Sequence, residues 1–169
     1  FFRLGDFYEM FFKDAEIASK ELGITLTSRN KEKGMDVPLA GIPYHSSAAY
    51  ITKLVNKGYK VAICEQVEDP KTAKGIVKRE VVRVVTPGTV IDVDSLDATS
   101  NNYLLAIKPL ENKVGIAYLD ITTGEFKVLE IEEDNDLSKI FNELYKIEPK
   151  EVLVEFSFYE TFKDKFEEY

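Results

Sequence analysis

Apolar residues run almost unbroken from Phe1 to Phe12, interrupted only by Arg3, Gly5, Asp6 and Glu9. Read as one extended strand, alternation places Phe2, Leu4, Tyr8, Met10 and Phe12 on one face and Phe1, Arg3, Phe7, Glu9 and Phe11 on the other. The first set predicts a core face. On the second, an aromatic ring and a carboxylate, Phe7 and Glu9, point the same way two residues apart. In a helix they would diverge by about 200°, so any joint role depends on a strand here. Pattern alone favours Phe7 in the core and Glu9 as a surface acid.

Beyond this run the pattern alternates between helical and strand periods. Ala15, Ala18 and Leu22 predict a helix over 14–22, closed by Gly23. Ile24 to Thr27 predicts a short strand, followed by a polar, mostly basic loop over 28–34. Pro38-Leu39-Ala40-Gly41-Ile42-Pro43-Tyr44-His45 is apolar but too punctuated for a helix. Ser46 or Ser47 is placed to cap a helix carrying Tyr50, Ile51, Leu54 and Val55. Strands follow over 60–67 and 77–85, and Thr86-Pro87-Gly88-Thr89 closes the unit. Strands interleaved with helices predict an α/β domain of about 90 residues.

Residues 91–102 are polar and acidic and read as a linker between domains 1–90 and 103–169. Three strands in close order then follow, over 103–110, 114–121 and 125–131, the spacing of an antiparallel meander. Leu137, Ile140, Phe141, Leu144 and Tyr145 give a strong helix stripe, and Val152-Leu153-Val154 adds a fourth strand. The order βββαβ opens a ribonuclease H-like unit that stops before its end.

Charge sharpens the division. The chain has 169 residues and a net charge of −8, but residues 1–90 hold 14 Lys/Arg against 11 Asp/Glu, and residues 91–169 hold 8 against 19. The first half can approach a polyanion and the second is repelled by one. No apolar run approaches the ~18 residues of a membrane span. The single Cys64 forms no internal disulfide, which suits a reducing cytoplasm. The first residue is Phe and the chain ends on Phe166-Glu167-Glu168-Tyr169, so it reads as a piece of a larger protein.

Candidate chemistry is sparse. A GxxxxGK[ST] phosphate loop is missing, so these residues are not expected to hydrolyse nucleotides. His45, the only histidine, reads as a loop residue near a helix start, and Cys64 as a small core residue. Asp120, with Glu155 as a second acid, is the alternative: ribonuclease H-like nucleases gather carboxylates around Mg²⁺ on such strands. Phe7 and Glu9 suggest instead a wedge. An exposed Phe pushed between bases kinks a duplex from the minor groove, and a neighbouring carboxyl group can bond a displaced base.

Four separated blocks carry a resemblance: Gly5-Asp6-Phe7-Tyr8-Glu9, Pro38 to His45, Val61-Ala62-Ile63-Cys64-Glu65-Gln66-Val67, and Val81 to Thr89. Together they resemble the amino-terminal part of the MutS family of DNA mismatch-repair proteins. Ala117 to Gly124 is similar, more loosely, to the family's connector domain. The resemblance implies a mixed-sheet α/β mismatch-recognition domain followed by a truncated ribonuclease H-like connector. It implies that Phe7 enters the minor groove and stacks on a mispaired base while Glu9 bonds that base. It puts Arg79, Arg29, Lys31 and Lys33 at the DNA backbone and Leu39 behind the wedge. The implied partners are mismatched duplex DNA, a MutL-type protein at the connector, and a second MutS subunit, in a bacterial cytoplasm and without a membrane. It further implies no catalytic residue, metal or cofactor in these residues, with ATP and Mg²⁺ belonging to an ATPase domain of the parent.

Overall fold

A computed structural model describes residues 1–29, 36–68, 73, 75–90, 100–132 and 137–169. It divides into two compact units, Phe1–Thr86 and Pro87–Tyr169.

The first unit is a six-stranded mixed sheet in the order β3-β4-β2-β1-β5-β6. Its strands are β1 Phe2–Leu4, β2 Phe7–Phe11, β3 Thr27–Arg29, β4 Val37–Pro43, β5 Val61–Gln66 and β6 Arg79–Val85. Only β1 and β5 pair in parallel; the other neighbours are antiparallel. Its described residues include two α-helices, α1 Phe12–Leu22 and α2 Ser47–Val55. Helix α1 lies across β4 and β2 and also meets α2. Its buried stripe is Ala15, Ala18 and Leu22, and Gly23, left-handed at φ 70°, closes it. The sheet residues beneath α1 are Tyr8 and Met10 of β2 with Ala40 and Ile42 of β4, and Val61, Ile63 and Cys64 of β5 and Val85 of β6 are buried as well, all below 9% exposure.

Three segments take a form that the sequence placed differently or left open. The apolar run Phe1–Phe12 is a hairpin rather than one strand, turning at Gly5-Asp6 with Leu4 opposite Phe7. Gly5 has φ +60° and Asp6 does not enter positive φ, the combination of a two-residue II′ turn. The Gly-Asp dipeptide is the signal that marks it. The turn reverses the face of β1, so that Phe2 and Leu4 stand opposite Glu9 and Phe7 instead of sharing a face with Tyr8. Second, the punctuated segment 37–43 is a strand with neighbours on both sides. Its prolines fit because Pro38 faces only β3 and Pro43 faces only β2, so neither must donate to a central ladder. Third, the short strand is Thr27–Arg29, which puts Arg29 on a sheet rather than in a loop. Ser46 precedes α2, but its hydroxyl donates to the Pro43 carbonyl (3.1 Å) instead of capping the helix.

The second unit is a four-stranded sheet in the order β10-β7-β8-β9. Strands β7 Tyr103–Pro109, β8 Lys113–Asp120 and β9 Glu125–Glu132 form the antiparallel meander, and β10 Glu151–Val154 pairs with β7 in parallel. Helix α3 Ser138–Ile147 joins them. Leu105, Ile107, Val114 and Ile116 pack with Leu137, Ile140, Leu144 and Phe158 into one core. Two short helices absent from the sequence reading, α4 Phe156–Thr161 and α5 Lys163–Glu168, add Phe158, Phe162 and Phe166 to it. Their i, i+4, i+8 spacing is the signal that identifies them. The polar segment at 91–102 lies largely outside the described residues, but Asn102 is buried and its side-chain amide donates to the Val90 carbonyl (3.4 Å). Asn102 is therefore part of the second unit.

Candidate nucleic-acid interface

Strand β2 runs through the middle of the first sheet, and its alternation is clean. Tyr8 and Met10 point to the core; Phe7, Glu9 and Phe11 point away from it. The Tyr8 hydroxyl donates to Glu65 on β5. Burial first, and that bond second, push the Tyr8 hydroxyl up to about 12, so the phenol stays protonated and donating. This anchors β2 from below.

On the outer face Phe7 is 47% exposed, at the first position after the hairpin turn. A fully apolar ring held open to solvent on a central strand is not what burial alone selects. The turn beneath it is held from two sides. Arg3 donates from Nε to the Gly5 carbonyl (2.5 Å), and its guanidinium lies 3.4 Å from the centre of the Tyr44 ring. The Tyr44 amide in turn donates to the Asp6 carbonyl (3.0 Å). The role of Tyr44 is not visible in the linear pattern, because its contacts with Arg3 and Asp6 join segments about forty residues apart.

Glu9 shares the outer face with Phe7, as the strand reading requires. Its side chain retains 17% exposure, between Phe2 on β1 and Gly41 on β4. Gly41 projects nothing into the space between ring and carboxylate. A Cβ there would stand 3.7 Å from Glu9 Cγ and 3.8 Å from Phe7 Cδ1, an ordinary contact that would nonetheless fill the gap. Glu9 Oε2 is shielded from solvent and makes no hydrogen bond among the described residues. Arg29 Nη1 lies 3.5 Å from it, a Coulombic contact too long and ill-directed for a hydrogen bond.

The other expected positions separate. Arg29 reaches this face because Thr27 pairs with Leu39, which pairs with Phe11. Leu39 is half-buried in that row. Arg79 is committed elsewhere: its Nε donates to the Arg3 carbonyl (2.9 Å) and its Nη1 to Val77 (2.9 Å). It braces the hairpin with two of its five N–H groups. Lys31 and Lys33 lie outside the described residues.

Asp120 and Glu155 are not brought together. Asp120 pairs with Tyr103 at one end of β7, whereas Glu155 follows β10 beside Ile107 and pairs with Lys108. Five residues of strand separate the two ends, roughly 17 Å. Asp120 is 1% exposed and its oxygens are occupied. Oδ1 accepts from the Thr122 amide (2.9 Å), the Thr122 hydroxyl (2.6 Å) and the Thr123 amide (3.4 Å). Oδ2 accepts from the Asn101 side chain and the Asn102 amide, both 3.1 Å. Burial acts to raise this carboxyl group, but the Thr122, Asn102 and Asn101 bonds outweigh it and bring it to about 2. Among the described residues, three or more His, Cys, Asp or Glu side chains nowhere gather to hold a metal ion. The carboxylate closes a turn. Also among the described residues, no helix is long and apolar enough to cross a membrane.

Comparison with known proteins agrees with this division. The family model described as MutS domain I matches residues 1–94, and the one described as MutS domain II matches residues 102–168. Curated relatives carry the name DNA mismatch repair protein MutS. The Fusobacterium nucleatum protein is 67% identical over 91% of this chain and 17% of its own length. The Acetivibrio thermocellus protein is 51% identical over 100% of this chain and 20% of its own, and the Methanosarcina barkeri protein 52% identical over 95% and 19%. The chain thus spans a fifth or less of the length of these relatives.

Proposed function

This chain belongs to the MutS family, and on that premise we propose that it reads mispaired or unpaired bases in duplex DNA, with Phe7 as a minor-groove wedge and Glu9 as the group that bonds the displaced base. The observation that carries this reading is the solvent-exposed Phe7 ring beside a shielded, unbonded Glu9 oxygen on one sheet face.

The physics of mismatches favours a wedge. Mispairs share no common donor/acceptor pattern; they share weak pairing and stacking. Kinking a duplex costs about 1–6 kcal/mol and less where stacking is already poor. Stacking a base on an aromatic ring returns roughly 1–3 kcal/mol. A wedge therefore tests deformability without reading sequence, and a flat ring serves better than an aliphatic side chain. Glu9 adds discrimination. A carboxylate among phosphates is repelled, and only a base with a free edge compensates it, by accepting from or donating to the carboxyl group.

The same reading assigns residues 103–169 to the connector and a MutL-type protein as its partner. It assigns a second MutS subunit, and ATP hydrolysis with Mg²⁺, to parts of the relatives that this chain does not match, and it places the protein in the cytoplasm. Nothing in the geometry of Asp120 favours the nuclease alternative.

The test is a gel shift of a full-length protein carrying this chain on a duplex with one G·T mispair and on its G·C counterpart. Phe7→Ala is expected to lower the G·T preference about tenfold or more, the loss of at least ~1.4 kcal/mol of stacking, while thermal unfolding is unchanged. A variant that keeps its preference, or that unfolds, refutes the wedge.

A further inference from the structure

Glu9 and Arg29 lie on β2 and β3, separated by β4, and still meet on the outer face. The pair is lopsided. The Arg29 side chain is 51% exposed and that of Glu9 17%, so the guanidinium is the part that an approaching polyanion meets first. The contact is also weak in kind. At 3.5 Å it is an ion pair without a hydrogen bond. Glu9 Oε2 is out of reach of water and has no donor among the described residues. A shielded oxygen without a donor costs free energy, and the nearby positive charge is what offsets it.

A phosphate offers Arg29 more than Glu9 does. Guanidinium–phosphate contacts are commonly bidentate, shorter and stronger than an unbonded ion pair. We propose that Arg29 is an exchangeable counter-ion: it neutralises Glu9 in the DNA-free protein and transfers to a backbone phosphate on binding, leaving the shielded Oε2 dependent on a base for a partner. The inference rests on the mismatch reading above and adds a specificity-determining residue to it. On matched duplex the transfer strips Glu9 of compensation, because the base edges are already paired. On mispaired duplex a displaced base supplies the missing partner. Arg29 thereby makes Glu9 selective, beyond whatever grip its own charge contributes.

The exchange has a signature that neither an independent phosphate contact nor a persistent Arg29–Glu9 pair shares. In the native protein the Arg29–phosphate contact forms at the expense of the ion pair; with Glu9→Gln there is no pair to break. Arg29→Gln is therefore expected to weaken matched-duplex binding about two- to fivefold more in the Glu9→Gln background than in the native one, the range an exposed ion pair supports. It should also lower the slope of log affinity against log salt by about 0.9, one phosphate. Arg29→Lys, which keeps the charge, should retain that slope.

The measurement is a double-mutant cycle by fluorescence anisotropy on G·C and G·T duplexes, using a full-length protein carrying this chain. Additive penalties overturn the exchange, and so does a smaller penalty in the Glu9→Gln background, which means the pair persists on DNA. Unfolding of both Arg29 variants also contradicts it, because a half-exposed side chain acting only through Glu9 does not hold the fold. The two proposals fail separately. A native protein without G·T preference but with the coupling overturns mismatch reading alone; preference without the coupling overturns the exchange alone.

Discussion

Replacing Asp120 with asparagine changes one atom in a buried turn and tests what that residue is for. The carboxylate accepts five hydrogen bonds, three at Oδ1 and two at Oδ2. An asparagine that keeps its oxygen toward Thr122 turns its NH₂ group against the Asn102 amide. The Asn101 side chain can flip to accept from it, but the Asn102 backbone cannot. One buried donor is left unpaired, at about 1–3 kcal/mol, and the surviving bonds lose their charged acceptor. The expected destabilisation of the second unit is about 2–4 kcal/mol at pH 7. The pH dependence follows from the direction of the shift. Asp120 sits at about 2 in the fold against about 3.9 unfolded. Its contribution is complete above pH ~4 and is lost as pH falls toward 2. The variant lacks this group, so the gap between the two proteins should narrow over that window. Urea unfolding followed through backbone amide signals of residues 103–169 reads this unit alone. A gap below about 0.5 kcal/mol at pH 7, or one that widens on acidification, refutes the turn-closing role. Magnesium-dependent DNA cleavage abolished by the same substitution would restore the nuclease reading.

Three other substitutions probe the wedge face. Gly5→Ala forces a side chain into φ +60°; it should cost the first unit about 1 kcal/mol in chemical denaturation and lower G·T preference by displacing Phe7. Gly41→Leu fills the gap between Phe7 and Glu9 without a backbone clash, so mismatch preference should fall while the melting temperature moves by less than about 2 °C; an unaffected preference means no base enters there. Glu9→Ala removes a carboxylate that phosphates repel, and matched-duplex affinity should rise, narrowing the G·T to G·C ratio; unchanged matched-duplex binding rules out the repulsion.

The second unit was legible almost strand for strand because its elements are local. Meander turns, one amphipathic stripe and a short final strand each carry their own signal within a dozen residues. The first unit resisted where the outcome depends on partners distant in sequence. The Gly5-Asp6 turn hid inside an apolar run that satisfies strand alternation equally well unbroken. Segment 37–43 looked irregular because its prolines violate strand rules unless one knows that each faces a single neighbour. Phe7 and Glu9 were correctly placed on one face, since the period of two survives within β2. Whether that face lay open was decided by α1 packing behind Tyr8, Met10, Ala40 and Ile42, which no local pattern states. Arg79 carries a second role that no local pattern states. The resemblance places it at the DNA backbone, and two of its donors go to the carbonyls of Arg3 and Val77, the first a contact that joins strands distant in sequence. The Arg29 contact with Glu9 spans three strands and had no sequence signal at all.

Of all these measurements, site-specific photocrosslinking speaks most directly to the wedge. With Phe7 replaced by p-benzoylphenylalanine in a full-length protein carrying this chain, irradiation on a duplex containing one G·T pair is expected to map crosslinks to the mispaired nucleotides and their immediate neighbours, and to give few on G·C duplex. Crosslinks spread evenly along the duplex, or equal on both substrates, would contradict the claim that the Phe7 ring enters the helix at the mismatch.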